Sequence, residues 1–269
     1  MWNNAATQRN IAQLAADGIE LVGPAAGALA GGDTGVGRMV EPEEIVEALV
    51  TLLAGDLDGV TALVTAGGTR EAIDPVRYIG NRSSGKMGNA IAAEAALRGA
   101  AVTLITTAPA PALAGVEVVH VETAAEMAEA AWSRATASDV AIMAAAVADF
   151  RPKNAEDGKL RRTDGIPQID LEATPDILAG IAAMDPRPFL VGFAAETGSL
   201  EGALRKATSK GVDLLVGNDV SKAGSGFGTD TNEVTVYAPD GSAETWPLLS
   251  KREVAQRLWD RISETRSQG

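Results

Sequence analysis

The chain contains no cysteine and a single histidine, and these two shortages exclude several kinds of chemistry. Without cysteine there is no disulfide, no thiolate metal ligand and no cysteine nucleophile. His120 lies in the apolar stretch VEVVHVE with no partner nearby in sequence, so we interpret it as structural. A GxSxG elbow is also missing, which argues against a Ser-His-Asp hydrolase. The lack of cysteine fits a reducing cytoplasm, where we expect the protein to act.

Long apolar runs and positive charge are also scarce. No segment resembles a signal peptide or an unbroken apolar stretch of about 20 residues, so we expect no membrane span. The formal net charge of -13 argues against a nucleic-acid partner, because affinity for the phosphate backbone comes mainly from Lys and Arg. Residues 151–162, RPKNAEDGKLRR, are an exception with five cations against two acids, and they predict a local anion site.

From residue 60 onwards, apolar strands alternate with helices. We predict strands near residues 60–66, 101–106, 117–121, 139–145, 188–193 and 212–217, and helices near residues 85–98, 124–136, 175–184 and 200–210. This alternation predicts an α/β fold, with a three-layer, Rossmann-like, mainly parallel sheet covered by helices on both faces. Strands on either side of Asp240-Gly241 predict a C-terminal antiparallel hairpin or dimer arm, followed by a last helix near residues 251–264.

The first part of the chain follows a different pattern. We predict a helix at residues 5–16, a strand at 20–22, a glycine- and alanine-rich loop at 24–37 and a helix from Pro42 to Gly55. This stretch has too few strands to form a domain alone. We therefore predict a division into residues 1–57, the end of another domain, and residues 58–269, the main domain.

Residues 64–88, VTAGGTREAIDPVRYIGNRSSGKMG, run from an apolar strand through two glycine-rich loops into a helix. Glycine lets backbone N–H groups approach an anion, and a helix N-terminus presents unpaired donors. Arginine and asparagine side chains between the loops are donors suited to phosphate and carboxylate. The predicted phosphate-binding residues are Gly67, Gly68, Arg77, Asn81, Ser83, Ser84 and Gly85, with Arg82 beside them.

Other interpretations of these glycines stay open from the residues alone. The stretch GNRSSGKM differs from the P-loop pattern GxxxxGK[ST] at one position, where Met87 replaces the hydroxyl residue that would hold magnesium. A P-loop also follows its strand directly, whereas the preceding strand here ends near Ala66. A P-loop-like NTPase is thus disfavoured, and so is a nicotinamide oxidoreductase, because no GxGxxG follows the first strand. A glycine-rich turn that merely begins a helix, or a non-catalytic nucleotide-binding regulatory module, also fits the pattern.

Asp149 is the single acid in the stretch AAAVADFRP, and it precedes the basic segment. Its carboxylate suits a contact with a base, a ribose or magnesium, and it equally suits a helix cap or a turn. The cations that follow are Lys159, Arg161 and Arg162, which form either an anion site or a solvated face. Two more cations, Lys206 and Lys210, share one face of the predicted helix at residues 200–210.

Several motifs together resemble one enzyme family. They are GGTREAIDPVRYIGNRSSGKMG, AAAVADFRP, KLRR, TPDIL, GFAAET and NDV followed by GFGTDTNEV. In this order, over about residues 60–265, they resemble phosphopantothenoylcysteine synthetase (phosphopantothenate-cysteine ligase), the C-terminal half of the bacterial bifunctional coenzyme A biosynthesis protein. The traces MW, ATQRN, GRM and EPEEIV resemble the end of its flavin-dependent decarboxylase domain, as expected for a fragment of a longer protein or a mis-assigned start.

The resemblance implies a reaction and its partners. CTP activates the carboxylate of 4'-phosphopantothenate as an acyl-cytidylate and releases pyrophosphate, and the amine of L-cysteine then displaces CMP. Magnesium is expected as a cofactor, held mainly by the triphosphate with Asp149 as a further candidate ligand. The resemblance implies a homodimer, with residues 232–246 as a plausible dimer arm. It also implies that the full-length protein contains a decarboxylase domain. Neither FMN nor decarboxylation is expected here, because the flavin-binding body and the catalytic histidine and cysteine have no counterpart. The preference for CTP over ATP rests on the resemblance alone.

The resemblance also implies roles for individual residues. Asn81 would handle the acyl-cytidylate and Lys159 the triphosphate, as the two catalytic residues. The implied nucleotide contacts are Met143, Ala144, Ala145, Asp149, Lys159, Pro175, Asp176, Ile177, Leu178, Phe193, Lys206 and Lys210. Relatives often have KIKK where this chain has KLRR. The guanidinium of arginine is planar and forked, whereas the ammonium of lysine is a point charge, so the implied role is best supported for Lys159, which is a lysine in both patterns.

Overall fold

The structure is a computed structural model that describes residues 1–28, 32, 34–53, 55–110, 112–198, 210–222, 224–226 and 228–267. The chain divides into two compact units, Met1–Gly55 and Asp56–Gly269. Most of the helix predicted near residues 200–210, and with it Lys206, lies outside the described residues. Among the described residues, no helix combines the length and the apolarity that crossing a membrane requires.

The described residues of the first unit form two helices and one hairpin. Its elements are α1 (Ala5–Ala16), β1 (Ala25–Ala28), β2 (Thr34–Arg38) and α2 (Pro42–Leu53). The side chain of Asn4 accepts a hydrogen bond from the N–H of Ala6 at 2.9 Å, so α1 begins at a capping residue. Both predicted helices are confirmed.

Two predictions for this unit are wrong. The strand predicted at residues 20–22 is not a strand in the structure, and the loop predicted at residues 24–37 contains the antiparallel β1–β2 hairpin. Alanine and glycine have low strand propensity, so the sequence pattern predicted a loop. Pairing between the two strands supplies the backbone hydrogen bonds that the side chains do not signal.

The second unit contains most of the secondary structure. Its elements are β3 (Thr61–Ala66), β4 (Arg70–Ala72), β5 (Tyr78–Gly80), α3 (Lys86–Leu97), β6 (Ala101–Thr106), β7 (Val116–His120), α4 (Ala124–Ala135), β8 (Val140–Met143), β9 (Phe150–Pro152), β10 (Leu171–Ala173), α5 (Ile177–Ala182), β11 (Phe189–Glu196), β12 (Leu214–Asp219), β13 (Thr231–Tyr237), β14 (Ala243–Ser250) and α6 (Lys251–Ser267), with a short 3-10 turn at Arg162–Asp164.

Eight strands form one sheet in the order β14-β13-β12-β11-β8-β3-β6-β7. The six strands from β12 to β7 are parallel, and β13 and β14 pair antiparallel at one end. The predicted α/β fold with a mainly parallel sheet and a C-terminal hairpin is therefore confirmed. Within this sheet the chain first forms β3, continues outward on one side to β6 and β7, and then returns to form β8 on the other side of β3. The strand order thus reverses between β3 and β8, where ligands bind in open sheets of this kind.

Helices cover both faces of the sheet, because successive strand residues point to opposite sides. On one face Val64 of β3 packs with residues of α3 and α6, and Trp259 of α6 donates its indole N–H to the carbonyl of Ile91 at 3.0 Å. On the other face Leu63 packs with residues of α4 and α5. Two apolar cores around one sheet make the three layers that the sequence predicted.

Two small two-stranded sheets beside the main sheet were not predicted. β4 pairs with β5, and β9 pairs with β10, all antiparallel and only three residues long. Such short strands carry no readable periodicity, since an alternating pattern needs about four residues or more. The stretch between β3 and α3, predicted as two loops, therefore contains a hairpin as well.

Candidate functional site

A cavity of about 660 Å³ opens at the carboxyl ends of the sheet strands. β3 and β8 contribute Thr65 and Met143 to its wall, so the cavity lies at the reversal of strand order. Many of the residues predicted from the sequence line it. They are Asn81, Ser83, Ser84, Gly85, Met143, Ala144, Ala145, Asp149, Pro175, Asp176, Ile177, Leu178, Phe193 and Lys210.

The glycines after β3 bring two loops into close contact. An added Cβ on Gly67 would lie 2.2 Å from the Thr107 hydroxyl, and one on Gly68 would lie 2.5 Å from the Asn81 carbonyl oxygen. Gly85 has a φ of 74°, and a Cβ there would lie 2.7 Å from the Ala108 side chain. These glycines therefore allow backbone to meet backbone. Gly67 and Gly68 lie outside the wall of the large cavity, and Gly68 lines a separate cavity of about 330 Å³.

Asn81 is held against the opposite loop. Its side-chain amide donates to the carbonyl oxygen of Val147 at 2.8 Å, which links the loop before α3 to the loop after β8. Ser83 and Ser84 follow directly, and α3 begins at Lys86, after Gly85. Because Gly85 has no side chain to cap the helix, the first N–H groups of α3 remain donors for a ligand.

Threonine hydroxyls fix the loop that follows β8. Thr65 accepts a hydrogen bond from the N–H of Ala145 at 3.2 Å, and Thr69 accepts one from the N–H of Ala148 at 2.9 Å. The hydroxyl of Thr174 donates to the carbonyl of Ala148. The loop is thereby anchored to β3 and to the segment after β10, while Asp149 at its end is exposed.

The other wall of the cavity begins with α5. Asp176 caps this helix by accepting from the N–H of Ala179 at 3.0 Å, and it forms an ion pair with Lys210. Burial raises the pKa of Asp176, but the Lys210 ammonium and the Ala179 N–H outweigh burial and lower it. Phe193 of β11 lines the same cavity, so the cavity wall combines an apolar ring with a carboxylate and an ammonium group.

Besides Gly67 and Gly68, the predicted site residues Arg77 and Lys159 lie outside the cavity wall within the described part of the chain, and so do Arg82, Arg161 and Arg162, the cations named beside them. Arg77 forms an ion pair with the buried Asp74 and donates to the Leu160 carbonyl at 3.0 Å, while the Leu160 N–H donates to Asp74 at 3.1 Å. Burial raises the pKa of Asp74, but three backbone N–H groups and Arg77 lower it to about 2. This network fixes the backbone next to Lys159.

The cavity wall also contains polar residues that the sequence analysis did not assign. Asn218 of β12 donates to the Asn232 side chain of β13 at 3.4 Å, and both are buried. Lys86 and Lys251 are two further cations in the wall. Three of these four residues lie inside the family motifs quoted above, namely Lys86 in GNRSSGKM, Asn218 in NDV and Asn232 in GFGTDTNEV, so the motifs could have identified them. Lys251 lies in none of these motifs. Among the described residues, no group of three or more His, Asp or Glu side chains could hold a metal ion.

Two protein families match different parts of the chain. The family described as DNA/pantothenate metabolism flavoprotein C-terminal domain matches residues 57–265. The family described as Flavoprotein matches residues 1–54.

Curated proteins and solved structures agree with the first match. The chain is 45% identical over 268 residues to the coenzyme A biosynthesis bifunctional protein CoaBC of Vibrio vulnificus strain YJ016, covering 97% of this chain and 67% of that protein. It is 45% identical over 282 residues to CoaBC of Mycobacterium bovis, with the same coverages of 97% and 67%. The crystal structure of a CoaBC C-terminal domain has a TM-score of 0.66 and 39% identity, covering 79% of this chain and 98% of that domain.

Proposed function

The chain belongs to the family described as DNA/pantothenate metabolism flavoprotein C-terminal domain, and on that premise we propose that it is a phosphopantothenate-cysteine ligase. This membership confirms the resemblance that the motifs predicted. The proposed reaction joins 4'-phosphopantothenate to L-cysteine in coenzyme A biosynthesis, with CTP consumed and CMP and pyrophosphate released. The coenzyme A biosynthesis proteins that resemble the chain over 97% of its length support the proposal.

One observation carries the proposal: a single cavity contains Asn81, the uncapped start of α3, Asp149 and the Asp176–Lys210 pair. Its volume of about 660 Å³ lies within the range of about 300–1,000 Å³ that is usual for ligand pockets. Hydrogen-bond donors for phosphate and carboxylate thus occur beside the apolar surface of Phe193 and Leu178. Such a mixture suits a nucleotide and an acyl substrate bound side by side.

In the first proposed step, a carboxylate oxygen of phosphopantothenate attacks the α-phosphorus of CTP. A bond forms between the carboxylate oxygen and the α-phosphorus, which gives the C–O–P linkage of the acyl-cytidylate. The bond from the α-phosphorus to the oxygen that bridges it to the β-phosphate breaks, and pyrophosphate leaves with the negative charge. Lys210, which lines the cavity, would offset that charge, together with Lys159 and Lys206, whose roles rest on the family resemblance. Magnesium, when bound, neutralises phosphate oxygens. The ion is usually bound by one or two carboxylates together with phosphate and water oxygens. The cavity wall fits this preference, because the Asp149 carboxylate is exposed, whereas that of Asp176 is paired with Lys210.

In the second proposed step, the cysteine amine attacks the acyl carbon. A C–N bond forms, the bond from the acyl carbon to the cytidylate oxygen breaks, and CMP leaves. The Asn81 amide is positioned by its hydrogen bond to the Val147 carbonyl oxygen. It would donate its second N–H to the acyl oxygen as negative charge develops there. The amine proton would pass to solvent or to a substrate phosphate.

The ligase assay tests this proposal directly. We expect the protein with CTP, magnesium, 4'-phosphopantothenate and cysteine to release pyrophosphate, and omission of phosphopantothenate to stop the release. Pyrophosphate release that does not need phosphopantothenate would indicate an NTPase instead. Nucleotide binding without any turnover would indicate a non-catalytic module. Replacing CTP by ATP in the same assay measures the nucleotide preference.

Asn81→Asp separates the two steps. We expect this variant to consume CTP and accumulate acyl-cytidylate, because a carboxylate cannot donate to the acyl oxygen in the second step. The matched control is Asn89→Asp, since the Asn89 amide also donates to a carbonyl, that of Pro109 at 3.0 Å, but does not line the cavity. Formation of product at the normal rate by Asn81→Asp would remove Asn81 from the mechanism.

The proposal extends to the organisation of the protein. We propose that residues 58–269 form the ligase domain and that residues 1–57 are the end of a decarboxylase domain, without FMN or decarboxylase activity. We also propose that the protein acts in the cytoplasm and that it is a homodimer. Light scattering of the purified protein would test the oligomeric state. The predicted arm is part of the β13–β14 hairpin, which continues the main sheet. The matched relatives are longer, since the chain spans about two thirds of their length.

A further inference from the structure

Two lysines enter the cavity wall at the beginnings of two helices. Lys86 is the first residue of α3 and Lys251 is the first residue of α6. They are 165 positions apart in the sequence, yet both line the cavity, as Ser84 and Gly85 do. The roles proposed above leave both lysines unused.

Lys251 is buried with a positive charge that has no carboxylate in direct contact. Only 7% of the residue is exposed, and its ammonium donates to the carbonyl oxygens of Gly226, at 3.3 Å, and Thr229. Among the described residues, no carboxylate forms an ion pair with it. Burial, reinforced by the charge of Lys86, lowers the pKa of Lys251, and Asp230 offsets this only in part. A buried charge of this kind is stabilised by an anion that comes close to it.

Lys86 has a counter-ion that exchanges easily. Its ammonium donates to Asp230 at 2.6 Å and to the Gly228 carbonyl at 3.2 Å. The two side chains of the ion pair are 45% and 88% exposed, and ion pairs between exposed groups contribute little stability. Two lysines against one aspartate leave a net positive charge at this end of the cavity.

We propose that Lys86 and Lys251 form a polyphosphate subsite beside the first turn of α3, and that Asp230 competes with the bound anion for Lys86. The inference rests on the proposed function, in which a nucleoside triphosphate occupies the cavity, and it adds Lys86 and Lys251 to the cations that receive its β- and γ-phosphates. A polyphosphate suits the pair because each ammonium group is a compact point charge. The unpaired N–H donors of α3 face the same anion.

The test is direct binding of inorganic pyrophosphate to the full chain, measured by titration calorimetry at fixed magnesium concentration. We expect Lys86→Met to raise the Kd about tenfold or more, since a charge-assisted hydrogen bond is lost. We expect Asp230→Asn to lower the Kd a few-fold, because the competing carboxylate is removed. Lys251→Met should also weaken binding. If that buried substitution prevents folding, Lys86→Met, which is exposed, still decides the question.

The matched controls come from a neighbouring ion pair. Lys222 and Glu233 pair in the same part of the unit and do not line the cavity, so Lys222→Met and Glu233→Gln should leave the Kd unchanged. Wild-type affinity in Lys86→Met would overturn the subsite, and unchanged or weaker binding in Asp230→Asn would overturn the competition. Because this titration contains neither phosphopantothenate nor cysteine, its failure is distinct from failure of the ligase assay.

Discussion

The two units of the chain differ in how much apolar surface they bury. Among the described residues of the first unit, Val40 is the single buried hydrophobic residue, and Ile19, Val22 and Met39 are exposed. The second unit buries apolar side chains on both faces of its sheet. Burial of apolar surface is the main term that offsets chain entropy in folding. Secondary structure therefore forms in both units, but among the described residues a buried apolar core occurs only in the second.

Ion pairs show the same contrast at equal spacing. Arg38 and Glu41 in the first unit are three residues apart, and their side chains are 47% and 55% exposed. Arg77 and Asp74 in the second unit have the same spacing, but the Asp74 side chain is fully buried. The first pair is solvated, whereas the second organises a loop through the backbone of Leu160.

The largest expected effect is in the core of the second unit. Trp259→Ala removes a fully buried ring and its hydrogen bond to Ile91, and we expect a loss of about 3–5 kcal/mol in the free energy of unfolding. Ile19→Ala, in the first unit, should change it by less than about 0.5 kcal/mol. Urea unfolding of both variants measures this difference, and equal losses would show that Ile19 is packed as tightly as Trp259.

A smaller effect is expected where α3 packs on the sheet. A Cβ on Gly88 would lie 2.6 Å from the Ala66 side chain and 2.8 Å from the Thr65 carbonyl oxygen. We expect Gly88→Ala to cost about 1–3 kcal/mol, because the helix must move away from β3. Gly27→Ala in the first unit meets only the flexible Arg38 side chain, so thermal unfolding should show a change within about 0.5 kcal/mol. A stabilised Gly88→Ala would contradict the close packing.

Acid stability should separate the two ion pairs. The pKa of Asp74 is lowered from 3.8 to about 2 in the folded protein, so its contribution to stability is complete above about pH 4 and is lost as the pH falls through 2. The Tm difference between wild type and Asp74→Asn should therefore be constant above that range and shrink below it. Glu41→Gln is the control, and its Tm should equal that of wild type because the Arg38–Glu41 pair is solvated. A pH-independent difference for Asp74→Asn would assign the loss to packing.

The smallest effect is expected from removing Met1–Gly55. Both apolar cores of the second unit consist of residues from Leu57 onwards. We therefore expect the remaining chain to fold, with the Tm and the ligase activity unchanged within error. The measurement is thermal unfolding together with pyrophosphate release, each compared with the full chain. Failure to fold would show that the second unit depends on the first.

Long periodic segments were predicted well from the sequence. β6 has the predicted bounds, 101–106, because a buried strand between turn residues carries its own signal. α4 begins at a capping box of Thr123 and Glu126, which is also a local signal. The three-residue strands β9 and β10 were missed, since each is stabilised by a partner about 20 residues away rather than by a pattern within itself.

The candidate site was predicted in part for the same reason. Asn81 and Asp149 were named from motifs, and the structure brings both to one cavity. Gly67 was expected to approach an anion, but its missing Cβ makes room for Thr107 of another loop. Lys251 was not named at all, because nothing near it in sequence reveals that α6 begins beside α3.

The local sequence was enough to specify the alternation of strands and helices and the family, and it predicts an anion site in the stretch from strand to helix at residues 64–88. These depend on local periodicity, glycine spacing and motif order, which can be read along the chain. Only the tertiary structure decided which side chains share the cavity. Parallel strands joined by crossovers bring distant segments to one edge of the sheet. Lys86 and Lys251 both line the cavity there, whereas Arg77 lies outside its wall, because it donates to the carbonyl of Leu160, 83 residues away in sequence, and pairs with Asp74.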